Sequence, residues 1–71
     1  MKKDPRSRFG RRLAQLRRQH GYSQEQLAAD SGVARSYLSG VERGQRNIAL
    51  VNICRLAHTL GVTPAEMLDL E

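Results

Sequence analysis

An all-α domain of five short helices is the fold class that this 71-residue chain predicts. Apolar residues recur at three- and four-residue spacing in one segment after another, which is the period of a helix with a buried face. Gly21, Gly32, Gly44 and Gly61 fall just past the ends of such segments, where a helix C-terminus accepts a left-handed residue. No stretch alternates apolar and polar residues as a half-buried strand would, and no repeat or low-complexity linker divides the chain, so residues 1–71 read as one domain.

The first helix is predicted from Pro5 towards His20. Asp4 suits an N-cap, and Pro5 suits the first helical position, where its missing N–H is not needed. Phe9, Leu13 and Leu16 form a narrow inward stripe beneath a strongly basic outer face. Ser23 and Gln26 have capping-box spacing, so a second helix should begin at Gln24, with Glu25 favourable near the positive end of the dipole, and end at Gly32. A third should run from about Ala34 to Arg43. A fourth, Leu50 to Leu60, carries Leu50, Ile53, Leu56, Ala57 and Leu60 at helical spacing. The fifth begins at Thr63-Pro64-Ala65-Glu66, which combines an N-cap, a first-turn proline and a capping-box glutamate, and is expected to reach Leu70.

Size and composition narrow the function. A domain of this length buries only ~60% of the surface its unfolded chain exposes, so a monomer would be marginal. One cysteine, Cys54, excludes an intramolecular disulfide. There is no apolar run near the ~20 residues that span a bilayer and no signal-peptide segment, so a cytoplasmic protein with no membrane partner is expected. The net charge is +5, and it is uneven. Lys2, Lys3, Arg6, Arg8, Arg11, Arg12, Arg17 and Arg18 crowd the front against Asp4 alone, whereas acids outnumber bases from residue 21 onward. A polyanion partner fits this asymmetry, as does a simple solvated arm, and residues 1–4 are expected to form such a flexible basic arm.

The stretch from Ser23 to Gly44 carries the functional signal. Two short helices joined by a tight turn place Leu27, Ala28, Val33, Leu38 and Val41 towards a common core and leave Gln24, Arg35, Ser36 and Ser39 polar and elsewhere, which is the helix-turn-helix pattern of a DNA reader.

With SQEQLA, SGV, ERG and RN at these spacings, residues 8–69 resemble the Cro and phage-repressor type of helix-turn-helix regulator, the XRE-like group. The run SYLSGVERGQRNIALVNICRLAHTLGVTP resembles in particular the small controller proteins of restriction-modification genes. The resemblance implies a lambda-repressor-like domain whose third helix enters the major groove. Base edges there present a distinguishable donor and acceptor pattern, and an arginine fork matches guanine O6 and N7. Arg35 is therefore expected to read guanine, or else to meet phosphate, and Ser36 and Ser39 to read bases or touch their phosphates. Gln24, at the open N–H end of helix two, would approach a phosphate and brace the reader. By resemblance Arg46 and Asn47 are phosphate clamps, though Asn47 could instead shape the turn or cap helix four. Arg43 adds a further phosphate contact or simply a solvated charge. The resemblance also pairs Glu42 with Arg17 in a partly buried bridge. Tyr37 is read as a ring packed between helices, with a stack on the DNA backbone as the alternative. Two residues depart from the family pattern. Ala34 and Ala49 stand where a capping side chain is common.

No catalytic or metal chemistry is indicated, and no cofactor is expected. His20, His58 and Cys54 lack partners at ligand spacing, and there is no phosphate loop, paired acid or nucleophile motif. The expected function is a sequence-specific regulator of double-stranded DNA, working as a homodimer on a near-palindrome, because one reader of this size sees few base pairs. Val51, Leu60, Met67, Leu68 and Leu70, with residues 62–71 as the dimerisation unit, are the candidate interface unless some of them complete the monomer core. RNA polymerase would be a further partner of an activating member. An antitoxin-type regulator, or an interaction module on the same fold, remains the alternative.

Overall fold

The computed structural model describes residues 4–70, and its first helix starts where the local chemistry directs it. The Asp4 carboxylate accepts the Arg6 backbone N–H at 2.9 Å, and Pro5 occupies the first turn of α1 (Pro5–Gln19). The expected basic arm falls largely on residues 1–3, outside the described residues, and Asp4 itself belongs to the helix start. At the far end His20 is the C-cap, one residue inside the expected boundary.

α2 (Gln24–Ser31) begins at Ser23, whose hydroxyl accepts the Gln26 N–H at 3.0 Å. Half of the expected capping box is missing. The Gln26 side chain donates to Asp30 at 2.9 Å, one turn further along, rather than reaching back to the cap. α3 (Arg35–Glu42) starts without a capping side chain at Ala34, and α4 (Leu50–Leu60) without one at Ala49. α5 is shorter than the sequence suggests. It spans Pro64–Met67 behind a complete Thr63/Glu66 capping box, and the chain turns at Leu68. Met67, the last residue of α5, is fully buried, and Leu70 beyond the turn packs against the core.

The core is one cluster drawn from every helix. Phe9, Leu13 and Leu16 of α1 meet Leu27 of α2, Leu38 and Val41 of α3, Ile53, Leu56 and Leu60 of α4, and Met67 of α5. Leu50 does not join it: as the first residue of α4 it is 70% exposed, ahead of the stripe that begins at Ile53. Leu60 and Met67, expected at a dimer face, are 4% and 0% exposed within the single chain, so they complete the monomer.

The crossing of α1 over α3 depends on Gly10. A Cβ at that position would lie 2.5 Å from the Val41 carbonyl oxygen and 2.6 Å from that of Glu42, so the two helix backbones touch where α3 ends. Only glycine permits that approach. The α1 surface also reaches α5, where the Arg12 guanidinium donates from Nε to the Glu66 carbonyl at 2.9 Å. Among the described residues no buried side-chain nitrogen or oxygen lacks a partner, and no helix is long and apolar enough to cross a membrane.

Candidate nucleic-acid interface

Glu42, the last residue of α3, is the hub of the site. Arg17 of α1 donates from Nε to Glu42 Oε2 at 2.7 Å and from Nη2 to Oε1 at 3.1 Å, and its Nη1 donates to the Tyr22 carbonyl at 2.9 Å. Gln24, the first residue of α2, adds its Nε2 to Glu42 Oε1 at 2.9 Å. The arginine and glutamate side chains are 12% and 6% exposed, so the pair is largely out of water. A charge pair so placed is tolerated because fork geometry and extra donors satisfy the carboxylate. One carboxylate thus fastens the start of α2, the end of α1 and the end of α3 to one another. The expected Arg17–Glu42 bridge is present, and the Gln24 side chain braces α3.

With its far end fixed, α3 presents its first turn to solvent. Arg35 and Ser36 are exposed and Ser39 is half-buried, whereas Leu38 and Val41 are buried in the core. The Arg35 guanidinium has an acidic neighbour: its Nε lies 3.2 Å from Oε2 of Glu25 on α2. Sequence reasoning assigned Glu25 to the helix dipole and missed this pairing, since nothing in the spacing of residues 25 and 35 reports the angle between the two helices.

The loop after α3 is tied to it twice. The Tyr37 hydroxyl donates to the Asn47 carbonyl at 3.2 Å and accepts the Ala49 N–H at 3.2 Å, so this ring is a strut between α3 and the start of α4. Asn47 therefore meets α3 through its backbone, and the cap position of α4 belongs to Ala49. The second tie is the Arg46 stem, which lies across α3 at Gly40. A Cβ on Gly40 would stand 2.9 Å from Arg46 Cγ, so the glycine makes the seat on which this side chain rests. Arg43, Arg46 and Asn47 are exposed beside α3, with Arg43 as its C-cap. Gly40 and the Tyr37 hydroxyl escaped the sequence reading because both act through chain segments distant in helical register.

Next to this surface, and sharing Arg46 and Asn47 with it, α1, the α3–α4 loop, α4 and the C-terminal segment enclose an open groove of about 320 Å³ whose apolar lining is Phe9, Ile48, Ile53, Leu68 and Leu70. Val51 and Leu68 are 56% and 48% exposed, so of the candidate dimer residues these two offer apolar surface, with Leu70 half-buried. Among the described residues no group of His, Cys, Asp or Glu could hold a metal ion.

Comparison with known proteins places this geometry. Residues 13–67 match the family described as Helix-turn-helix. The control protein C.BamHI of Bacillus amyloliquefaciens is 42% identical over 86% of this chain and 76% of that protein. The crystal structure of the restriction-modification controller protein C.AhdI from Aeromonas hydrophila superposes with a TM-score of 0.85 at 55% identity, over 87% of this chain and 94% of that one. The master regulator for biofilm formation SinR, solved in complex with DNA, superposes with a TM-score of 0.82 at 37% identity, over 86% of this chain and 98% of that one. The chain belongs to the helix-turn-helix family, with restriction-modification controller proteins among its relatives.

Proposed function

We propose that this chain is a sequence-specific transcriptional regulator of double-stranded DNA that acts in the cytoplasm as a homodimer on a near-palindromic operator, in the manner of a restriction-modification controller protein. The observation that carries the reading is the fixed reader helix. Its first turn exposes Arg35 and Ser36, with Ser39 one turn on, while Glu42 at its other end is held by Arg17 and Gln24. Such a helix can enter a major groove without losing its angle to the rest of the domain.

Arg35 reads guanine, with Ser36 and Ser39 beside it. The free N–H groups at the start of α2, at Gln24, and the loop cations Arg43 and Arg46 with Asn47 hold phosphates on either side. The exposed apolar residues Val51 and Leu68 supply the self-association face. A two-fold pair then sets the readers one DNA turn, ~34 Å, apart.

A selection from random DNA, followed by binding to the selected site at several salt concentrations, tests the reading. A palindromic consensus bound by two chains is the expected result. A steep salt dependence with no preferred sequence would leave only the electrostatic attraction and overturn it.

A further inference from the structure

We propose that Glu25 is a specificity-determining positioning residue, which aims the Arg35 guanidinium and penalises DNA that lacks the matching base; this rests on the reading of Arg35 as a base contact.

Arg35 is the first residue of α3, and its side chain is 56% exposed, so packing alone leaves it many rotamers. Glu25 removes part of that freedom. Its Oε2 lies 3.2 Å from Nε, a charge contact rather than an aligned hydrogen bond, and this leaves the two terminal nitrogens for a planar pair of acceptors such as guanine O6 and N7. The carboxylate is in turn well placed at the second position of α2, where the N-terminal end of the helix dipole favours negative charge. An ion pair with both members this exposed is a weak one, and the same small free energy bounds both its part in folding and its hold on the Arg35 rotamer.

The charge acts a second time when DNA arrives. A carboxylate on the surface that phosphates approach opposes binding in general, and pairing with Arg35 offsets that opposition. On a site with guanine in reach, Arg35 keeps both partners. On a site without it, the guanidinium must turn to a phosphate, abandoning Glu25, or keep Glu25 and gain nothing from the base. Both choices weaken binding to the wrong sequence and leave the right one intact, which is discrimination by repulsion as well as attraction.

The test uses the full chain and the operator found by selection. Dissociation constants are measured on that operator, on operators changed at the Arg35-dependent base pair, and on unrelated duplex, for wild type, Glu25→Gln, Glu25→Asp, Arg35→Ala and the Glu25→Gln/Arg35→Ala double variant. Glu25→Gln should lose about two- to fivefold of the base preference, the range that an exposed ion pair supplies, while binding unrelated duplex at least as tightly as wild type. Glu25→Asp keeps the charge but shortens the reach, so it should lose the preference without that gain. In the Arg35→Ala background Glu25→Gln should change the preference no further, and thermal unfolding should match wild type for Glu25→Asp and fall by at most a few degrees for Glu25→Gln, which gives up the charge at the start of α2. Retention of the full preference by Glu25→Gln, when Arg35→Ala has lost it, overturns the proposal while leaving Arg35 as reader. A wild-type preference that survives Arg35→Ala overturns the reading of Arg35 itself, and the proposal with it.

Discussion

Arg17 and Glu42, twenty-five positions apart, meet through two hydrogen bonds of 2.7 and 3.1 Å, with little of either side chain exposed. The pair joins the last turn of α1 to the last residue of α3. Because Gln24 donates to the same carboxylate, loss of Glu42 would strand a cation and an amide together.

Glu42→Ala should therefore destabilise the fold by about 3 kcal/mol, the lower end of the cost of breaking a buried pair, since Arg17 keeps its bond to the Tyr22 carbonyl and some access to water. Urea unfolding measures it. A change near zero would show that the pair has no part in holding α3.

Arg35→Ala and Arg46→Ala should fail in different ways. The first should cost about 1–3 kcal/mol of discrimination at one base pair of each half-site and little elsewhere. The second should weaken all sequences alike and lower the salt slope by about 0.9 for each phosphate that is no longer neutralised. Gly40→Ala, which crowds the Arg46 stem, should reproduce part of the Arg46→Ala phenotype. Binding at several salt concentrations separates these outcomes.

Gly10→Ala offers a test of the α1–α3 crossing. In an open helix this change would stabilise by about 1 kcal/mol, but here the new methyl meets backbone carbonyls of Val41 and Glu42, which cannot swing aside. Overpacking of about 1–3 kcal/mol should win. The melting temperature should fall, and a rise would mean that α1 does not lie against α3 as described.

Two helix starts should make stability acid-sensitive. The side-chain hydrogen bond from Arg6, aided by its backbone N–H, holds the Asp4 carboxyl below its ordinary value of 3.8. The Thr63 backbone N–H, aided by its hydroxyl, holds Glu66 below 4.5. Carboxyls lowered by folding stabilise fully above those ordinary values, and the contribution disappears as pH falls through the lower folded ones. Stability should therefore decline on acidification from about pH 5, and the combined Asp4→Asn and Glu66→Gln variant should show a shallower decline in chemical unfolding across that range.

Val51→Glu should weaken self-association without unfolding the chain, because Val51 is 56% exposed. Met67→Ala should instead cost about 2–5 kcal/mol of stability, as truncation of a fully buried side chain does. Sedimentation velocity paired with thermal unfolding distinguishes the two. Dimerisation unchanged by Val51→Glu would move the interface off this face of α4.

Most of the helices, their stops and the core stripe were legible in the residues, because caps, glycine ends and apolar period act within a few positions of one another. Asp4-Pro5, Ser23 and Thr63-Pro64 begin helices, and Gly32 and Gly61 end them, for reasons confined to one turn of chain. The polar positions Arg35, Ser36 and Ser39 were also local, and the Arg17–Glu42 pair came from family resemblance. Tertiary structure decided what depends on how two helices meet. It placed Leu60 and Met67 inside the monomer and left Leu50 outside it, ended α5 at Met67, and pressed Gly10 onto the backbone of α3. It also brought Glu25 to Arg35, Tyr37 to the loop and Gly40 under Arg46. Sequence spacing reports which side of one helix a residue occupies; the distance and angle between helices arise only when all five share one core.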